Sequence, residues 1–326
     1  MARASRSSRR SIGLVLGAGG IAGAAWHAAA LTALADLGWD ARVSDLIVGT
    51  SAGSGTASIL RLGVPSHDLL AGTLGEPMSP IGAGYAAKAG PPADIPMPEI
   101  GGRIPIPASP AMALRSLAAP WRLRPMKLAA GLLPAGRAST AFIGDRIRNT
   151  HDLPWPERPT WVCAVRLSDG ERVVFGRDVD DAHIATAVEA SSAIPAFFAP
   201  VEHDGDLYVD GGAHSPTNAD LVAGLGFDAV VVSSPMSGTT EALRRPKWTG
   251  GRALHRQTLE RELRAIRADG TPVLVLQPDA AVVDAIGPNS MDPSRRADIG
   301  RIAHESVSAY LATDGVADRL AALGIA

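Results

Sequence analysis

Apolar residues run almost unbroken through Ile12-Gly-Leu-Val-Leu16 and again through Asp45-Leu-Ile-Val48. Short β-favouring runs of this kind are the signature of strands buried on both faces. Each leads through a glycine-containing turn into a helical stretch, the first over about 22–37 and ended by Gly38, the second over Ser54–Leu62. The βαβα order predicts a parallel sheet with flanking helices. Later in the chain the pattern predicts strands near 160–166 and 171–175, a helix at 181–191 and a strand pair near 200–209. Further strands near 228–233 and 272–276 and a last helix around 294–312 complete the reading.

Between about 71 and 144 this rhythm lapses. Twelve of the 25 prolines lie from Pro77 to Pro134, and only two short helical pieces, about 109–118 and 125–133, suggest themselves. Residues 101–144 contain no Asp or Glu, but carry Arg103, Arg115, Arg122, Arg124, Lys127 and Arg137, interleaved with Met112, Trp121, Met126, Leu132 and Leu133. A long insertion in a compact domain is usually functional or disordered. Two readings stand side by side: a peripheral contact with an anionic lipid surface through 101–144, or a loop folded over the core.

Composition narrows the class. At 46% hydrophobic and 20% charged, 326 residues suffice for a large core. The net charge of −2 gives no field that favours nucleic acid. The one cysteine, Cys163, rules out an intramolecular disulfide, and its place in Thr160-Trp-Val-Cys-Ala-Val-Arg166 makes it a small core residue. Residues 1–10 read as a disordered basic tail and 11–326 as a single domain with 71–144 as its lid-like insertion. A secretory signal is disfavoured because Gly17, Gly19, Gly20 and Gly23 interrupt any apolar helix. No run of about twenty apolar residues could span a membrane. The expected location is the cytoplasm, with peripheral membrane contact.

Two turns carry candidate chemistry. Gly17-Ala-Gly-Gly-Ile-Ala-Gly23 joins the first strand to its helix, where exposed amides at a helix N-terminus favour an anion. It suits a dinucleotide phosphate, an oxyanion hole or a plain β-to-α turn, and by itself does not choose. Gly49-Thr-Ser-Ala-Gly53 follows the second strand and precedes a helix, the context of a nucleophile elbow. Ser51 is the candidate nucleophile, Gly49 and Gly53 are the small neighbours the tight turn needs, and the amide of Ala52 is placed to join Gly19 and Gly20 as an oxyanion donor.

An elbow after only the second strand, about thirty residues beyond a glycine-rich turn, resembles the patatin-like phospholipases. Ala190-Ser-Ser-Ala-Ile-Pro-Ala-Phe-Phe-Ala-Pro200 and Tyr208-Val-Asp-Gly-Gly212 resemble further segments of that family, and Gly287-Pro-Asn-Ser-Met-Asp-Pro293 is similar to a tail element of its bacterial members. The resemblance implies a three-layer α/β/α sandwich with a mostly parallel sheet and a serine esterase acting on phospholipid, lysophospholipid or neutral acyl ester. It also implies a dyad of Ser51 and Asp210, with Gly211 and Gly212 letting the loop approach the serine. One departure is clear: Ala18 and Ala22 stand where the family's motif has a glycine and a basic residue.

Competing readings are specific. A Ser–Asp–His triad would recruit His255 or His304, with His214 lining the site. A nucleotide-binding or regulatory protein would use the 17–23 loop for phosphate, and a degenerate relative would be weakly active. Asp204, Asp206 and Asp210 lack the closing Glu of a calcium loop, and no Cys/His cluster suits zinc, so neither a metal nor another cofactor is expected. The sequence leaves the oligomeric state open.

Overall fold

In the computed structural model, residues 10–91, 107–118, 125–244 and 249–325 are described. The first half contains β1 (Ile12–Leu16), α1 (Gly20–Asp36), β2 (Leu46–Thr50), α2 (Ala52–Arg61), α3 (Ser66–Leu74) and α4 (Pro80–Ala89). Next come α5 (Pro110–Ala118), α6 (Pro125–Leu132), α7 (Ala141–Arg148), β3 (Thr160–Arg166), β4 (Arg172–Phe175) and α8 (Ile184–Ser191). The remainder is β5 (Val201–His203), β6 (Asp206–Asp210), β7 (Ala229–Ser233), α9 (Thr240–Leu243), α10 (Thr249–Arg267), β8 (Val273–Leu276), α11 (Ala280–Ile286), α12 (Arg296–Leu311) and α13 (Ala317–Leu323).

The strands form one mixed sheet in the order β5-β6-β3-β2-β1-β7-β8, with β4 paired to β3. The pairs β3–β2, β2–β1, β1–β7 and β7–β8 are parallel, whereas β6 and β4 run antiparallel to β3. The period-2 alternation of strand side chains builds a layer on each face. Leu14, Leu16, Ile47, Val231 and Leu274 face α1 and α12. Val15, Val48, Val230 and Val232 face Leu259, Leu263 and Ile266 of α10. The α/β/α sandwich is therefore present. Helix α1 is apolar on every side because it lies between the sheet and α12, with twelve of its residues buried.

Registers differ little from the expectations: β3 spans 160–166 as read, and the last predicted helix is α12. Helices α3, α4, α7, α9, α10, α11 and α13 are additions. Within 71–144 the described residues are largely helical. Met112 of α5 and Ala130 of α6 pack with Val165, Leu167, Val209 and Ala213, so this stretch is anchored on the ends of β3 and β6. Trp121, Arg103, Arg122 and Arg124 lie outside the described residues, as does the tail 1–9.

Candidate active site

Parallel pairing puts the carboxyl ends of β1 and β2 at the same edge of the sheet, and the register fixes what stands beside them. Thr50 is opposite Cys163 on β3, and the next residue of β3, Ala164, is opposite Asp210 on β6. Residues 160 apart in sequence thus arrive at one level. Ser51 heads α2 with φ 52° and ψ −120°, a left-handed conformation that a non-glycine residue adopts only under constraint, at a cost of about 1–3 kcal/mol. The constraint is visible. Its N–H donates to Ser191 Oγ at 2.8 Å, and Ser191 Oγ donates to the Cys163 carbonyl at 2.6 Å, so the elbow is tied to α8 and β3. Gly53 is needed because a Cβ there would collide with the Leu16 carbonyl, which is how closely α2 passes the end of β1.

Asp210 is 5% exposed, and its Oδ1 accepts the Gly212 N–H at 2.7 Å. Burial pushes the Asp210 carboxyl up to about 6, opposed by the Gly212 N–H and by the nearby Ser51 side chain, both of which favour the charged form. The backbone of Asp210 is fixed in turn by its N–H donating to Ala193 O at 2.9 Å, which ties the Ser-Ser-Ala-Ile-Pro segment to the carboxylate. Gly211 and Gly212 begin a 3₁₀ turn directly after the strand.

The glycine turn is locked from behind. The N–H groups of Gly17, Ala18, Ala22 and Gly23 donate to the carbonyls of Ser233, Pro216, Ser290 and Gly19. The amides of Gly19, Gly20 and Ala52 have no backbone acceptor among the described residues, as expected where two helices begin. A Cβ on Gly23 would lie 3.4 Å from Ala52 Cβ, which is how near the N-termini of α1 and α2 come to each other.

Several contributors were not foreseen. His27 Nε2 lies 2.7 Å from the Gly17 carbonyl and its Nδ1 2.9 Å from Ser233 Oγ. A carbonyl can only accept, so Nε2 carries the proton and Nδ1 accepts from Ser233. Burial lowers this imidazole to about 4, which keeps it neutral. Trp26 Nε1 donates to the same Ser233 Oγ at 3.0 Å. A histidine and a tryptophan inside an Ala-rich helix, and a serine ending a valine strand, were the available signals. Ser191 had no signal beyond its motif.

The histidines proposed as triad members stand elsewhere. His304 Nε2 pairs with Asp36 Oδ2 at 2.8 Å on the α1/α12 surface. His255 lines a different cavity from the one that holds Ser51. Among the described residues no three His, Cys, Asp or Glu side chains are grouped to hold a metal. In front of Ser51 lies a largely apolar cavity of about 510 Å³, bounded by Ile21, Ile59, Leu69, Phe142, Ile194 and Phe198 among others. No helix among the described residues is long and apolar enough to cross a membrane.

Fold and site together define an α/β protein with a serine on a strand-to-helix elbow, beside a buried carboxylate and two helix N-termini. Within that class, residues 146–223 match the family model for patatin-like phospholipases. The matched stretch contains Asp210 and the Ala190–Pro200 segment, not the elbow. Such a match suggests a lipid acyl hydrolase. A similar solved structure is that of VipD from Legionella pneumophila, 14% identical, with a TM-score of 0.41 and coverage of 94% of this chain and 67% of that one. Comparison with curated proteins finds no match.

Proposed function

We propose that the protein hydrolyses carboxylic esters of lipids through a Ser51–Asp210 dyad and an acyl-enzyme. The observation that carries this reading is an elbow serine that lines an apolar cavity and stands beside a buried carboxylate. The acyl chain occupies the cavity. Ser51 Oγ bonds to the ester carbonyl carbon as its proton passes to Asp210, and the developing oxyanion is held by the amides of Gly19, Gly20 and Ala52. Collapse breaks the ester C–O bond, and the leaving alkoxide takes the proton from Asp210. Water then adds to the acyl-enzyme with Asp210 as base, releasing the fatty acid and restoring Ser51.

A phosphate-cradling role for the 17–23 loop is weakened by the same geometry. Four of its seven amides are engaged internally, and the cavity in front is apolar. A fluorophosphonate probe is expected to label the wild type and not Ser51→Ala. Absence of wild-type labelling, with folding intact, would overturn the proposal and favour a non-catalytic relative.

A further inference from the structure

A second cavity, of about 210 Å³, lies behind the glycine turn and shares none of the Ser51 lining. Its walls include Gly19, Ala22 and Gly23 of the turn, Ser290 of the following strap, and Arg252 and His255 of α10. Among the described residues no acidic side chain lines it. Spacing of three residues brings Arg252 and His255 to one helical face.

The charge here is unbalanced. Arg252 Nη1 donates to the carbonyls of Pro235 and Ser237, each at 2.7 Å, and no carboxylate pairs with it among the described residues. Its Nε and Nη2 donors form no hydrogen bond among those residues. His255 is 9% exposed and has no hydrogen-bond partner among them either. Burial and the neighbouring positive charge of Arg252 depress the His255 imidazole to about 4. Arg252 is half-buried, so the donors it leaves without a protein partner are open to the cavity and to an incoming anion. Ala22 contributes only a methyl group to the same wall, leaving the space beside the guanidinium open. The N-terminal end of α1 adds its positive pole.

We infer that this cavity is an anion site that takes a phosphate group, held by the Arg252 fork and His255 against the back of the glycine turn. A planar fork with two donors free among the described residues matches a phosphate edge-on. Two sources share this chemistry: the headgroup of a phosphate-bearing lipid substrate, or free phosphate acting on the turn through Gly19. The headgroup source rests on the esterase reading above; phosphate binding itself does not.

Two measurements test it. Inorganic phosphate is titrated calorimetrically into wild type, Ser51→Ala, Arg252→Gln and Arg252→Lys, with circular dichroism melting as the check on folding. Wild type and Ser51→Ala are expected to bind alike, Arg252→Gln at least about tenfold more weakly, and Arg252→Lys in between. Binding is read without turnover, so failure of the esterase proposal leaves this arm intact. If Arg252→Gln does not fold, His255→Leu takes its place. Kinetics on a monomeric lysophospholipid and on the monoacylglycerol of the same chain then distinguish the sources. A headgroup site predicts a loss of about tenfold in kcat/KM on the first, with less than about twofold on the second, and competition by phosphate. A free-phosphate site predicts that added phosphate alters both substrates alike and that Arg252→Gln removes the response. No binding by wild type up to about 10 mM phosphate, or equal binding by Arg252→Gln, overturns the inference.

Discussion

A carboxylate lifted to about 6 by burial must be ionised to accept a proton from Ser51, so the proposed base is active above that pH and lost below it. With the esterase reading, kcat/KM on a soluble ester is expected to fall about tenfold per pH unit below about 6 and to be flat above it. A profile governed by a group near 7 and abolished by a single His→Ala change would instead support a triad. Stability gives the opposite sign. Asp210 binds its proton more tightly folded than unfolded, so between pH 4 and 6 rising pH removes stability. Asp210→Asn is therefore expected to unfold at higher denaturant than wild type at pH 7.5, by about 1–3 kcal/mol, and equally at pH 3.5. Loss of activity alongside a gain in stability is what a group held for chemistry produces. At this scale Ser51 was legible because its strand, turn and helix are local. Ser191, His27, Ser233 and Arg252 were not, because each acts through a partner brought near only by folding.

Among the elements, α5 divides its residues sharply. Met112 is buried on the sheet, while Leu114 and Leu117 are 67% and 56% exposed beside Arg115. The inner face explains why removing this region as a block would uncover core, and the outer face is where a lipid surface would be met. Leu114→Ser with Leu117→Ser is expected to leave the melting temperature within about 2 °C and to weaken sedimentation with anionic vesicles severalfold. Unchanged vesicle binding would make α5 a cover for the sheet and nothing more. Helix α10 shows why elements were missed. Its Leu259, Leu263 and Ile266 repeat at helical spacing, but arginines and glutamates dominate the stretch, and the valine strands on either side gave the stronger signal. Within 71–144, α5 and α6 match the pieces read at about 109–118 and 125–133, whereas α4 escaped because its ten residues, mostly Gly and Ala, give no apolar period.

For the molecule as a whole, one sheet binds both helical layers, and α1 is the wedge between that sheet and α12. Leu31 is fully buried in this wedge. Leu31→Ala is expected to cost about 2–5 kcal/mol in urea unfolding with the m value unchanged, as for a single cooperative unit. Two separate transitions would overturn the single-domain reading. By itself the sequence determined the succession of strands, the sheet class, the nucleophile candidate and the patatin-like resemblance, because periodicity and turn chemistry are encoded over a few neighbouring residues. Only the tertiary structure decided that Thr50, Cys163, Ala164 and Asp210 share one level, since strand register between distant segments is set by the packing of the whole sheet. It also decided that the 17–23 turn borders two cavities, an apolar one with Ser51 and a second one with Arg252, a juxtaposition of segments more than two hundred residues apart.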